Sequence, residues 1–394
     1  MKGFDIIVVG AGMVGAAQAL ALARQGWRVA LVDARAPQLA WPEEGYDIRV
    51  SALTRASQNL FEELGAWQAM CAERVSPYRE MVVWDAGGTG RVHFDSADVG
   101  EPDMGHIVEN RVIVKGLHAQ VARQPDITPF WPARPVRLQR EDEGAALTLD
   151  DGTLLEGRLV IGTDGGRSWV RQTAGIPVTG WDYDQTAVVT VVRPREHHRE
   201  TAWQRFLPTG PLAFLPLTEG YCSIVWSTSP EQAERLLAME EDRFARELEA
   251  AFEATLGPIE NVGPRAAFPL RFFETRRYAD TRLALAGDAA HTIHPLAGQG
   301  VNLGLADVRS LARLLGEARR RRRDPGGETL LRRYERERRS ENRPMLLAMD
   351  GFKELFSNDQ PLLAWLRNTG LTLTDRLGPV KNLIVRRALG GAGR

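Results

Sequence analysis

Gly10-Ala11-Gly12-Met13-Val14-Gly15 has the spacing a backbone needs to touch a phosphate. Gly10 permits a tight turn, Gly12 lets the main chain approach a pyrophosphate, and Gly15 lets a helix pack closely on the preceding strand. The helix opening at Met13 and Val14 offers unpaired N–H groups and a partial positive charge to the anion. Asp33 ends the next apolar run, where a carboxylate accepts hydrogen bonds from ribose hydroxyls. Six residues alone say little. With a strand before them, a helix after them and the acid downstream, they predict dinucleotide binding.

A second turn stands near the other end of the chain. Gly287 and Asp288 follow the apolar run 282–286, and Pro295 and Gly298-Gln299-Gly300-Val301-Asn302 come next. A glycine loop again feeds a helix N-terminus. Its dipole would stabilise a ring that gathers negative charge, as a reduced flavin does around its N1–C2=O edge. Asp288 is placed to accept from a ribityl hydroxyl. A third segment, Thr163-Asp164-Gly165-Gly166-Arg167-Ser168, reads on its own as a turn in which Ser168 caps the next helix. Asp288, His291 and His294 have a spacing that could suit a metal, but the glycine motifs around them already account for the segment. No metal is expected. His197-His198 reads as a solvated loop.

These turns need elements to aim them. The run 4–9 is apolar throughout, as in a strand buried on both faces, and a helix should follow to about Gln25, ended by Gly26. Residues 28–32 complete a βαβ unit. Further buried strands are expected at 158–161 and 282–286, each ending in a Gly/Asp turn. Val301, Leu305, Val308, Leu311 and Leu315 form one helical stripe. Between the outer motifs the texture changes: 81–84, 92–94, 186–192, 203–207, 212–217 and 221–226 read as strands of a mostly antiparallel sheet. A charged amphipathic helix is expected from about Glu231 to Ala254, and Trp203, Phe206, Phe214 and Pro216 are candidates either to line a cavity or to pack in the core.

Composition bounds the rest. The 394 residues exceed what one core usually holds, so two packed domains are expected. With 50 basic and 51 acidic residues there is no global field to attract nucleic acid, and Arg319 to Arg323 reads as a solvated helix end. Cys71 and Cys222 form no disulfide framework, which fits a reducing compartment. The uncharged run 6–23 is long enough to suggest a membrane span or signal peptide, but its glycines and Gln18 favour the nucleotide motif. A cytoplasmic protein is expected. The segment 377–389 interleaves Leu, Ile and Val with Lys381, Arg386 and Arg387, which suits an ordinary packed helix, a membrane surface or partner proteins.

In this order and spacing, the three glycine motifs resemble those of the class A flavoprotein aromatic monooxygenases. Within that class, the string from His291 through Pro295, Gly298, Gln299 and Asn302 to Gly304 is similar to the FAD-dependent hydroxylases of ubiquinone biosynthesis. Asp47-Ile48-Arg49-Val50-Ser51-Ala52, Gly105-His106-Ile107-Val108-Glu109-Asn110 and Phe356-Ser357-Asn358 point the same way. The resemblance implies an α/β fold like that of para-hydroxybenzoate hydroxylase. Its Rossmann-like FAD-binding domain would span 1–72, 101–178 and 277–350, its inserted β-sheet substrate domain 73–100 and 179–276, and a helical C-terminal segment 351–394.

The resemblance also implies the cofactors FAD and, as transient reductant, NAD(P)H. Flavin contacts fall on Gly10, Gly12, Met13, Val14, Gly15, Asp33, Arg49, Ser51, Asn110, Asp164, Gly287, Asp288, Pro295, Gly298, Gly300, Val301 and Asn302. Relatives commonly carry Glu where Asp33 stands and Arg where Asn110 stands. Pro295, Gly298, Gln299 and Gly300 would lie nearest the reacting ring. The implied reaction spends O2 through a flavin hydroperoxide to hydroxylate a polyprenylated phenol, at ring carbon 5 by the likeness of 105–110 and 223–227. Ring carbons 1 and 6, a small soluble aromatic acid as substrate, and a flavin-bearing structural subunit of a ubiquinone-synthesis complex stand as alternatives. Other ubiquinone-biosynthesis proteins, a membrane surface or a second copy of the chain are the partners such an enzyme could meet.

Overall fold

The structure, a computed structural model, describes residues 2–42, 45–88, 90–292 and 300–356, with side chains described except at 2 and 344–356. Among these residues the strands form four sheets. One has six strands, in the order Ala279–Asp280, Leu283–Leu285, Leu159–Gly162, Ile6–Val9, Val29–Val32 and Ile127–Phe130. Its neighbours run parallel except at the Ala279–Asp280 edge. Ile6 faces Leu159 on one side and Val29 on the other. Both faces of this sheet are covered, which is why Ile6–Val9 and Val29–Val32 are apolar and buried at every position.

The helix Met13–Ala23 packs on this sheet and against the helices Asn110–Val121 and Gly300–Arg320. It is buried from Gly15 to Ala23, so its alanine-rich, uncharged character belongs to a core helix. Among the described residues no helix is long and apolar enough to cross a membrane. Leu305, Val308, Leu311 and Leu315 are buried, as their spacing predicts, and join the same core. Truncating one such leucine to alanine should cost about 2–5 kcal/mol.

The largest sheet lies across the sequence gap between these motifs. Its strands run in the order His291–Thr292, Ala266–Thr275, Val178–Pro194, Cys222–Thr228, Gly210–Pro216, Thr201–Leu207, Glu80–Asp85 and Arg91–Asp95, with Ile259–Val262 beside Val178–Pro194. All pairings are antiparallel except Thr201–Leu207 with Glu80–Asp85. Strand alternation sorts the side chains. Val188, Phe214, Ile224 and Trp226 face the helices Pro230–Ala238 and Glu241–Ala251. Val191, Ala213, Leu215 and Val225 face the other way, onto Ala52, Met104 and Ile107. Ala52 and Ile107 belong to a small sheet of Val50–Leu53, Gly105–Glu109 and Ser76–Tyr78.

This is the expected α/β architecture, a Rossmann-like sheet with an inserted, mostly antiparallel one. Two details differ from the sequence reading. The charged helix expected from about 231 to 254 is two helices, because Met239 and Glu240 take extended backbone with ψ of 147° and 151°. The break lets Met239 join Leu236 and Phe244 in one apolar cluster. At the other end, the helix Glu328–Phe356 runs straight through residue 350, where a boundary was expected. Residues 357–394, including the segment 377–389, lie outside the described residues.

Candidate active site

The two glycine turns converge on Val14. A Cβ added to Gly304 would stand 2.7 Å from a Val14 methyl and 3.1 Å from Gly287 Cα, so the first turn, the second turn and the helix behind it touch with no space between them. Gly15 is as tightly set: a Cβ there would meet the Gly10 carbonyl oxygen at 1.7 Å. Gly12 is the opposite case. A Cβ on it would meet nothing within 4 Å, so packing does not require glycine there and the space beside it is open.

That space is part of a cavity of about 520 Å³ lined by Gly12, Met13, Val14, Asp288, Gly300 and Val301 on the Rossmann side. The inserted sheet contributes Ala187, Val189, Ser223, Val225, Phe268 and Leu270. Ile48, Arg49, Ser51 and Asn110 lie between. A helix N-terminus, an open backbone approach and a nearby carboxylate fit a dinucleotide, so the described residues suit FAD.

Each sequence candidate has a definite place. Asp33 braces the first turn: the Ala11 N–H donates to Oδ2 at 2.7 Å and the Arg35 N–H to Oδ1 at 2.9 Å. Thr163 Oγ1 lies 2.9 Å from the carbonyl oxygens of both Val9 and Gly10. Asp164 accepts from Ser168 Oγ at 2.5 Å and the Val170 N–H at 3.0 Å, while its neighbours Thr163 and Gly165 line the wall. Ser168 in turn caps the helix Trp169–Thr173. Ser51 donates to Asn110 Oδ1 at 2.7 Å. Asn302 holds the start of its helix to the small sheet, donating to the Ala52 carbonyl at 2.8 Å and accepting from Ser57 Oγ at 2.7 Å. Arg49 is exposed, with its guanidinium 5.9 Å from the Phe268 ring centre. Pro295, Gly298, Gln299 and His294 lie outside the described residues.

Asp288 is exposed to the cavity. Protein crowding its carboxyl pushes its pKa up, against the pull of His291 and Arg49. Behind it sits a group that sequence reading missed. Asp307 is fully buried and accepts from the Gly287 N–H at 2.8 Å, His291 Nε2 at 2.7 Å and Arg338 Nε at 2.6 Å. Burial alone would raise its pKa, but His291, Arg338 and these hydrogen bonds outweigh that and hold it low. The available signal was one acidic residue inside the apolar stripe of a helix. His118 was missed as well; its Nε2 donates to the Ala11 carbonyl at 2.8 Å, and burial lowers its pKa.

For two of the aromatic candidates the structure decides between cavity and core. Trp203 and Phe214 pack on the opposite face of the sheet, against Phe252 and the helices beyond, because Ala213 and Leu215 hold the inward positions of that strand. Among the described residues no cluster of three His, Cys, Asp or Glu side chains could hold a metal.

A Rossmann sheet whose phosphate turn meets a second Gly-Asp turn, with an antiparallel sheet roofing the space between them, defines a flavoprotein monooxygenase. A family model described as an FAD binding domain matches residues 3–346, and the chain belongs to that family. It is 41% identical to the ubiquinone hydroxylase UbiL of Rhodospirillum rubrum, over 98% of this chain and 89% of that protein. It is 39% identical to the 3-demethoxyubiquinol 3-hydroxylase of Escherichia coli, over 98% of both chains. Among solved structures, the p-nitrophenol 4-monooxygenase PnpA of Pseudomonas putida shares the fold, with a TM-score of 0.80 at 19% identity and full coverage of both chains. The protein is an FAD-dependent aromatic-ring monooxygenase.

Proposed function

We propose that this enzyme hydroxylates the ring of a polyprenylated phenol in ubiquinone biosynthesis, at ring carbon 5. The observation that carries the reading is a single cavity walled on one side by both glycine turns and on the other by an apolar sheet face. FAD, when bound, would supply the redox chemistry that links NAD(P)H and O2 to the ring.

The chain's own residues bind, orient and keep dry. The first turn of the helix Met13–Ala23 would receive the pyrophosphate, Asp33 the ribose and Asp288 a ribityl hydroxyl. Val189, Val225, Phe268 and Leu270 exclude water from the reacting end. Ser223, Val225 and Asn110 belong to the two segments whose likeness favours carbon 5, and all three line the cavity, where they can set the orientation of a ring. A small aromatic acid fits less well. Among the described lining residues the arginines are Arg49 and Arg271; both are exposed, and Arg271 pairs with Asp182 at 3.1 Å. Neither offers the enclosed cation a carboxylate would need.

Profiling quinone intermediates in a deletion strain tests the reading. The strain should accumulate a polyprenylphenol lacking the carbon-5 hydroxyl, and this gene should clear it. Accumulation of an intermediate lacking another hydroxyl would overturn the ring position, and an intact quinone pool would overturn the function.

A further inference from the structure

We infer that Ser223 is the hydroxyl that binds the oxygen substituent of the aromatic substrate, a specificity-determining contact on the sheet side of the cavity; the inference rests on the phenol reading above. Ser223 lies in the strand Cys222–Thr228, opposite Val191 in one neighbouring strand and Leu215 in the other. Those two residues and Val225 give it apolar company on that face. It is 0% exposed, and its Oγ has no hydrogen-bond partner, yet the residue lines the cavity. Buried hydroxyls are almost always paired. With the residue at the cavity wall and its Oγ covered but unpaired, a turn about χ1 is what presents the hydroxyl to a partner that enters through the cavity.

The chemistry of that partner follows from the group. A hydroxyl both donates and accepts, so it matches a phenol O–H or an aryl ether oxygen. It brings no charge, and so does not select a carboxylate. Thr292 also lines the cavity with an unpaired hydroxyl, but it sits at the sheet edge next to His291, which Asp307 holds. Ser223 stands three strands further in, within the sheet wall of the cavity.

The test uses FAD-loaded protein and two probes of matching shape, 2-prenylphenol and prenylbenzene, with binding read from the perturbation of the flavin spectrum. Wild type should bind the phenol about tenfold more tightly than the hydrocarbon, the scale of one hydrogen bond to a group otherwise left unpaired. Ser223→Ala should lose that preference by weakening the phenol alone, and Ser223→Thr should keep it. Wild type without a preference overturns the assignment, and that comparison needs no variant to fold. So does a Ser223→Ala protein that still prefers the phenol. Wild type that holds FAD but binds neither probe overturns the phenol reading itself, and the inference with it.

Discussion

A methyl group separates two kinds of glycine in the first turn. At Gly15 it would collide with the Gly10 carbonyl oxygen at 1.7 Å, so backbone must move before the helix can sit on its strand. At Gly12 the same methyl meets only the open cavity. Gly15→Ala should therefore destabilise even the flavin-free protein, by about 1–3 kcal/mol on the scale of other overpacked sites. Gly12→Ala should melt like wild type when flavin-free and yet retain little FAD. The flavin-to-protein absorbance ratio and the apoprotein melting temperature separate the two. A Gly12→Ala protein as yellow as wild type would show that no phosphate approaches this turn.

At the scale of elements, Asp307 ties the helix Gly300–Arg320 to the Gly-Asp turn through Gly287 and His291, and to the helix Glu328–Phe356 through Arg338. Removing its carboxylate takes from Arg338, itself 2% exposed, its buried counter-charge and leaves it Asn342 and the more exposed Glu341. Asp307→Ala should cost about 3–5 kcal/mol at neutral pH, as broken buried ion pairs do. The sign of its pH dependence follows from the lowered pKa. Asp307 is charged in the folded state at pH values where the unfolded chain has taken up the proton, so its contribution is full above the ordinary carboxylate range and fades as pH falls. Urea midpoints of wild type and variant should converge in acid. A gap that stays constant would remove Asp307's charge from the account.

The same helix shows what could be read in the sequence and what could not. Its apolar stripe, the buried strands 6–9 and 29–32, and the four central strands of the inserted sheet were all legible, because local periodicity reports which face is covered. The partners of Asp307 were not, since Arg338 stands among many similar arginines and only tertiary packing buries it. The small sheet of Val50–Leu53, Gly105–Glu109 and Ser76–Tyr78 was missed for a related reason: its strands have three to five residues and pair across distant parts of the chain. For Trp203 and Phe214 the sequence left cavity and core open, and strand alternation decided for the core, giving the inward positions of Phe214's strand to alanine and leucine.

For the whole molecule, the wall proposed to hold the flavin and the wall proposed to shield the reaction come from different sheets, so the two tasks should fail separately. Phe268 tests this. It lines the cavity from the inserted sheet, belongs to neither glycine turn, and is 40% exposed, so little packing depends on it. Phe268→Ala should change stability by no more than about 0.5 kcal/mol, as surface substitutions usually do. FAD content should stay at the wild-type level. What should fall, several-fold, is the yield of hydroxylated product per NAD(P)H consumed, with hydrogen peroxide making up the difference, because the opened wall admits water to the reacting end. Product yield and peroxide are measured in the same reaction. A variant that loses flavin while keeping its coupling would reverse the roles of the two walls, and one that changes neither would place the water barrier elsewhere in the molecule.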